Sequence, residues 1–308
     1  MLRQNWKVPS ALLIGVLVTT ASIAQEHATI DADATAAGVL WQPSMNVFRR
    51  FEVPAERMYE FYGGALGFKQ LSTLNVGNGG GVARFQAGSQ ELKLTRRVGN
   101  RSYVGGGVRG ATGLRLLTFF FSDEASLTAS FVQRGLPEPV FDIVDGEGRR
   151  TALVLDPDGQ LVELVIVPGA TAEQLGRIEV GLTVADLERS RVYYRTFVGL
   201  EELPPAEDRR FATRKYSYRH GATTISLRSF GKDLPADTGS GGIQYVVSNV
   251  EFVDALAQAR HVPIQQPLSG LRGFDLRTIW LGDPDDITNY FAETGASRAA
   301  RSTPPSGR

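Results

Sequence analysis

The sequence predicts an α+β protein of two domains, each made from a pair of βαβββ units. Three observations carry this. The stretch Glu179 to Leu200, EVGLTVADLERSRVYYRTFVGL, opens as a strand in which Val180, Leu182 and Val184 alternate with Gly181 and Thr183. Asp186 then caps a helix with Leu187, Val192 and Tyr193 or Tyr194 available for a buried stripe, and Gly199 ends it. Second, Val47 to Phe68, VFRRFEVPAERMYEFYGGALGF, repeats that layout, with Phe61-Tyr62 as its aromatic pair. Third, the order strand, helix, about three strands recurs along the chain at a period of roughly 60 residues, too long and irregular for a solenoid. One such unit leaves a sheet face uncovered, so units should pair into an incomplete barrel or curved sheet flanked by helices.

Unit one runs from about Met45 to Arg97, with a helix over Ala55 to Gly63 and strands near Phe68 to Val76, Gly81 to Gln86 and Glu91 to Thr95. Asn100 to Gly113 is Gly-rich, lacks a GxxxxGK[ST] pattern, and is expected to be a flexible linker. Unit two has a strand Leu114 to Phe121, a helix Asp123 to Arg134, and strands near Val140 to Val144, Thr151 to Leu155 and Leu161 to Val167. Asp156-Pro157-Asp158-Gly159 is a hairpin turn between the last two. After the linker Pro168 to Gly176, unit three adds strands around Arg210 to Tyr218 and Thr223 to Arg228 to the opening stretch. Unit four follows the connector Gly231 to Gly241 with a strand Gly242 to Val247, a helix Glu251 to Arg260, and strands Arg277 to Leu281 and Ile287 to Ala292 about the turn Asp283 to Asp286. The expected domains are 45–167 and 177–294; residues 25–44 read as a loose leader and 295–308 as a disordered tail.

Residues 1–24 carry a basic start (Arg3, Lys7), an apolar run too short for a membrane span, and a small-residue cleavage site at Ser22-Ile23-Ala24. The expectation is export to the periplasm or medium, with an uncleaved anchor as the alternative. The 33 basic and 33 acidic residues balance, so neither nucleic acid nor an anionic membrane is expected as a partner. With no cysteine, the chain folds on core burial alone and has no thiolate metal site and no Cys nucleophile.

Val184-Ala185-Asp186 with Tyr193-Tyr194 and Gly199-Leu200, the second copy of that motif ending at Leu66-Gly67-Phe68, and Asp156-Pro157-Asp158-Gly159 through Glu163 resemble the vicinal oxygen chelate superfamily. This superfamily includes glyoxalase I, extradiol dioxygenases, and fosfomycin- and bleomycin-resistance proteins. The resemblance covers roughly Met45 to Glu293. It implies two cup-shaped glyoxalase-like domains. In the enzymes a divalent metal sits in the cup, held by His, Glu or Gln from the first and last strands of the paired units.

Carried over position by position, the resemblance places Phe48 or a neighbour, Lys93, Leu116 and Glu163 in the first cup, and Glu179, about Ser226, about Gly242 and Tyr290 in the second. Only Glu163 and Glu179 are competent ligands; Tyr290 is an uncommon donor, and an ammonium such as Lys93 has no lone pair to give. The three histidines, His27, His220 and His261, fall on no ligand strand. Lys93 is expected either to face Glu163 and neutralise it in place of a metal, or to snorkel to solvent with Glu163 on a rim. Glu179 is expected either to serve as a general base with Tyr290 as hydrogen-bond donor, or to sit at a strand edge bonded to Arg177 or another surface cation. The paired arginines Arg49-Arg50, Arg96-Arg97, Arg149-Arg150 and Arg209-Arg210 read as solvated strand ends.

The functional expectation is therefore an exported glyoxalase-like protein with a degenerate metal site. It needs no cofactor and binds a small, partly apolar molecule, and a homodimer is possible. The alternatives are a metal-dependent lyase or dioxygenase of the glyoxalase type, and a non-catalytic interaction protein.

Overall fold

The computed structural model describes residues 30–76, 81–143 and 149–301. The expected signal segment lies outside them, as do residues 302–308 of the expected tail. Unit one comprises β1 (Asn46–Phe51), α1 (Ala55–Tyr59), which runs into a π turn (Glu60–Ala65), β2 (Lys69–Asn75), β3 (Gly81–Ala87) and β4 (Gln90–Arg96). After the short α2 (Gly107–Gly110), unit two follows as β5 (Gly113–Phe121), α3 (Glu124–Gln133), β6 (Asp142–Ile143), β7 (Arg150–Leu155) and β8 (Leu161–Ile166). A single turn, α4 (Ala172–Leu175), leads to unit three: β9 (Ile178–Thr183), α5 (Leu187–Val192), a second π turn (Tyr193–Val198), β10 (Glu201–Glu202), β11 (Ala206–Asp208), β12 (Thr213–His220) and β13 (Thr223–Arg228). Unit four is β14 (Gly241–Val246), α6 (Val250–Ala259), β15 (Ile264–Gly270), β16 (Leu276–Gly282) and β17 (Thr288–Thr294), closed by α7 (Gly295–Arg301). No helix among the described residues is long and apolar enough to cross a membrane.

Local chemistry explains the repeats. Asp123, Asp186 and Asn249 each accept a backbone N–H three residues on and so start α3, α5 and α6. Unit one has Pro54 at that place and no side-chain cap. There the carboxylate of Asp158, from the unit-two hairpin, accepts from Glu52 N and Val53 N instead. Gly199 ends the second π turn at φ +82°, a left-handed conformation that glycine adopts without strain, and its bare Cα leaves room for Thr35.

The sheets do not follow the chain order of the units. Units one and four share one sheet, joined by antiparallel β1 and β14 with Asn46 opposite Gln244. Units two and three share the other, joined by antiparallel β5 and β9 with Thr118 opposite Glu179. The helical cores do follow the chain. Phe61 meets Phe131 edge-on at 5.8 Å between the first π turn and α3, and Phe68 meets Phe119 at 4.9 Å. In the second half Phe197 meets Phe291 at 6.3 Å. Each helical layer therefore rests on both sheets, and each cup is built from units of both halves. The joint over 167–177 carries the chain from β8, on one side of β5, to β9 on the other.

Several expectations are corrected here. The stripe on α5 omits Val192, which is 47% exposed, and uses Tyr193 and Tyr194. The leader is packed from residue 30 on: Ala36 is fully buried, and Trp41 N donates to Val246 O at 2.9 Å. The Gly-rich connector is pinned, because the Arg115 guanidinium donates to Val104 O at 2.6 Å and Gly107 O at 2.9 Å. Ser297 to Arg301 are helical, and β15 stands where the sequence suggested only a connection; its Pro267 is accommodated because β15 is an edge strand. Arg49 and Arg50 are buried at 2% and 3% exposure rather than solvated. Arg49 lies 3.3 Å from Asp156 and 3.2 Å from Asp158, while Arg50 sits over the Phe48 ring at 5.3 Å.

Candidate functional site

The cup of units two and three encloses a cavity of about 400 Å³. Strand alternation builds it. On β5, Leu117 and Phe119 enter the core, so Thr118 and Phe120 face the cavity. On β8, Val162 and Leu164 go inward to the core, turning Glu163 and Val165 to the cavity. Val180 and Leu182 of β9, and Ile225 and Leu227 of β13, are fully buried, which puts Glu179, Ser226 and Arg228 on the cup side. Lys215 comes from β12 and Arg210 from the loop before it.

The polar groups of this floor are tied together. Thr118 Oγ1 donates to Glu163 Oε2 at 3.0 Å, and Arg210 Nε lies 3.8 Å from Glu163 Oε1. Lys215 Nζ donates to both Glu179 oxygens, at 2.9 and 3.0 Å. Arg228, 2% exposed, reaches Glu179 at 3.5 Å and Asp208 at 2.7 Å. The two carboxyls consequently titrate apart. Burial, and then the neighbouring Glu179 charge, push Glu163 up. Burial would also raise Glu179, but Lys215 and Arg228 outweigh it and hold that carboxyl below its ordinary value. Arg210 Nε and Arg228 Nη1 are buried with no hydrogen-bond acceptor among the described residues.

The other cup, of units one and four, is organised differently. Its central positions hold Asn46, Lys93, Gln244 and Tyr290, by the same register that sets Glu179, Ser226, Thr118 and Glu163 in the first-described cup. Lys93 Nζ donates to Gln244 Oε1 at 2.5 Å and lies 3.6 Å from Glu91; Asn46 Nδ2 reaches the same amide oxygen at 3.4 Å. Burial lowers the Lys93 ammonium and the Glu91 charge opposes it. Tyr290 packs edge-on to Trp280 at 5.2 Å, and burial pushes its phenol up to about 12.

The expected pairings are thus exchanged. Lys93 does not face Glu163, and Glu179 does not face Tyr290, because each pair is divided between the two sheets. Glu163 meets Glu179, and Lys93 and Tyr290 flank Gln244. Arg177 bonds Glu173, not Glu179. Leu116 and Gly242 lie two residues from the cup-lining positions, held by Thr118 and Gln244; Asn46 takes the place assigned to Phe48 or a neighbour. Lys215, Arg228 and Asp208 were missed. For Lys215 a signal existed: Tyr216 and Tyr218 read as one apolar face of β12, and Lys215 and Ser217 must then share the other.

Comparison with known proteins agrees with the architecture. Residues 53–164 match the family model "Glyoxalase/Bleomycin resistance protein/Dioxygenase superfamily". Among solved structures, glyoxalase I from Zea mays superposes with a TM-score of 0.64 at 18% identity, covering 85% of this chain and 95% of that one. A Bacillus subtilis protein described as a dioxygenase candidate gives 0.56 at 14% identity, covering 85% and 87%. Comparison with curated proteins gives no match. At these identities the likeness concerns the fold.

The metal implied by the resemblance can be tested against the side chains. One cup offers two carboxylates and two hydroxyls, but an ammonium within 3.0 Å already occupies both oxygens of Glu179, and Arg228 adds a second cation. The other offers the Gln244 amide oxygen, already taken by the Lys93 ammonium and Asn46 Nδ2, with Tyr290 as the remaining donor. No group of three or more His, Asp or Glu side chains placed to hold a metal occurs among the described residues. A divalent cation would have to displace a like-charged nitrogen in either cup, so these residues do not fit one.

Proposed function

We propose that this chain is a metal-independent, glyoxalase-like binding protein whose ligand occupies the cup of Glu163, Glu179 and Lys215. The observation that carries the reading is the Lys215 ammonium bonded to both oxygens of Glu179, where the enzymes of the resemblance hold a metal. An ammonium neutralises the carboxylate without offering open coordination positions, so it supports binding and charge matching rather than Lewis-acid chemistry. The cavity is of small-molecule size, with Phe120 and Val165 as its apolar wall and the unengaged N–H groups of Arg210 and Arg228 as donors. The ligand is accordingly a small molecule with an apolar part and one or more hydrogen-bond acceptors.

A second reading has support in the opposed titration of Glu163 and Glu179. A carboxyl pushed up beside one held down is the arrangement of an acid–base pair, and Glu163 would be the proton carrier. Both readings predict a ligand-dependent rise in melting temperature that survives chelator. Binding that needs added zinc, nickel, manganese or iron, or stoichiometric metal in the purified protein, would replace them with the metal-dependent lyase or dioxygenase alternative. Turnover lost in Glu163→Gln distinguishes the acid–base reading from simple binding. We further propose export through residues 1–24; a periplasmic or secreted chain beginning near Gln25, read by mass, is the expected result. A homodimer belongs to the same proposal, read by sedimentation.

A further inference from the structure

The two cups differ in what surrounds their lysine. In the cup of units two and three, Lys215 bonds both oxygens of a carboxylate, Glu179. In the cup of units one and four that carboxylate is replaced by an amide, because Asn46 lies opposite Gln244 as Glu179 lies opposite Thr118. Tyr290 stands beside Gln244 where Glu163 stands beside Thr118, so the second carboxylate is replaced as well. Lys93 therefore meets a neutral floor, and its Nζ donates to Gln244 Oε1 at 2.5 Å.

The charged groups around Lys93 do not make up for this. Glu91, on the same strand, is 3.6 Å away and is shared with Arg84, which reaches it at 3.3 Å. Arg84 itself lies directly across from Lys93 on β3. Arg50, on the same face of β1, lies over the Phe48 and Trp280 rings at 5.3 and 5.8 Å. Of these groups, one carboxylate stands among three cations. Burial lowers the Lys93 ammonium and Arg84 lowers it further, with Glu91 opposing both. The side chain is still within reach of solvent, at 17% exposure. The register Trp280, Tyr290, Gln244, Asn46 continues the same face as an aromatic wall, and both rings are half-buried.

We propose that the cup of units one and four is a carbonyl site, in which the Lys93 amine condenses with a small aldehyde or ketone whose apolar part lies against Trp280 and Tyr290. The unprotonated nitrogen adds its lone pair to the carbonyl carbon, and a proton passes from nitrogen to oxygen. The C–O bond then breaks, water leaves, and a C=N bond joins the ligand to Lys93; no oxidant or reductant is needed. Lys215, held as an ammonium by Glu179, has no such lone pair. The site is separate from the other cup and does not depend on the function proposed there.

Benzaldehyde serves as the probe, with the whole protein at pH 7 and cyanoborohydride added to reduce the imine to a stable amine. Peptide mapping by mass spectrometry then reads the label at each lysine. Lys93 should be labelled at a lower benzaldehyde concentration than Lys69 and Lys232, although both of those are exposed. Gln244→Glu sets a carboxylate against the amine and should slow labelling of Lys93 by about tenfold or more, the effect of one unit in its titration. Gln244→Leu, which adds no charge, should leave Lys93 the first lysine labelled, and Lys215→Met, in the other cup, should not change its rate. The proposal fails if Lys69 or Lys232 takes the label ahead of Lys93 in the wild type. It fails equally if Gln244→Glu labels Lys93 as fast as the wild type does.

Discussion

Replacing Lys215 by methionine removes the cation that holds Glu179. The chain keeps its volume but leaves a carboxylate 15% exposed with only Arg228 at 3.5 Å, itself engaged by Asp208, and the Ser226 hydroxyl. Removing one member of a buried pair costs about 3–5 kcal/mol. Lys215 is 25% exposed and Arg228 stays, so the expected cost is smaller, about 2–3 kcal/mol at neutral pH, or roughly 5–10 °C in melting temperature. The effect must depend on pH. In the wild type Glu179 titrates below its ordinary value of 4.5, so its contribution is present above that value and lost as pH falls through the lowered one. In Lys215→Met, burial is less opposed and the carboxyl titrates higher than in the wild type, so its contribution above the ordinary value shrinks. The gap between the two proteins should therefore be small in acid and widen toward neutrality. Urea unfolding from acid to neutral pH measures it, with Lys215→Arg as the charge-retaining control. A gap independent of pH, or one that Lys215→Met/Glu179→Gln fails to shrink, would refute the pairing.

Other outcomes follow from the same geometry. Burial raises Asp283 to about 7, so its folded-state contribution is present below the ordinary value and lost as pH rises through about 7. Asp283→Asn should remove that loss and stabilise the protein at pH above 7 by on the order of 2–4 kcal/mol, read as a flattened stability–pH curve. Asp156, which occupies the same turn position in unit two and accepts from Tyr62 as Asp283 does from Tyr194, has Arg49 beside it. Arg49→Met should accordingly cost about 3–5 kcal/mol in denaturant unfolding, a loss that a result under 1 kcal/mol would contradict. Gly181→Ala places a Cβ 2.7 Å from Leu116 Cβ and 2.9 Å from Arg228 Nη1. It should destabilise by about 1–3 kcal/mol and shift the crystallographic position of Arg228.

The sequence by itself determined the local pieces. Period-two alternation in Val180, Leu182 and Val184, caps at Asp123 and Asp186, and the Asp-Pro turns are short-range signals, and the strands and helices they announce form within a few residues of the expected bounds. The repeat of those pieces also disclosed the fold, because any βαβββ unit must bury its open face against another. Which unit supplies the neighbouring strands is a long-range choice that alternation does not encode. That choice laid β9 against β5 and put Glu163 with Glu179 and Lys93 with Gln244. The cup residues were visible as isolated polar groups on apolar strands. Their partners were not, because Lys215, Arg228 and Asp208 gain meaning only when β12, β13 and the loops around them bring cations and carboxylates within bonding distance.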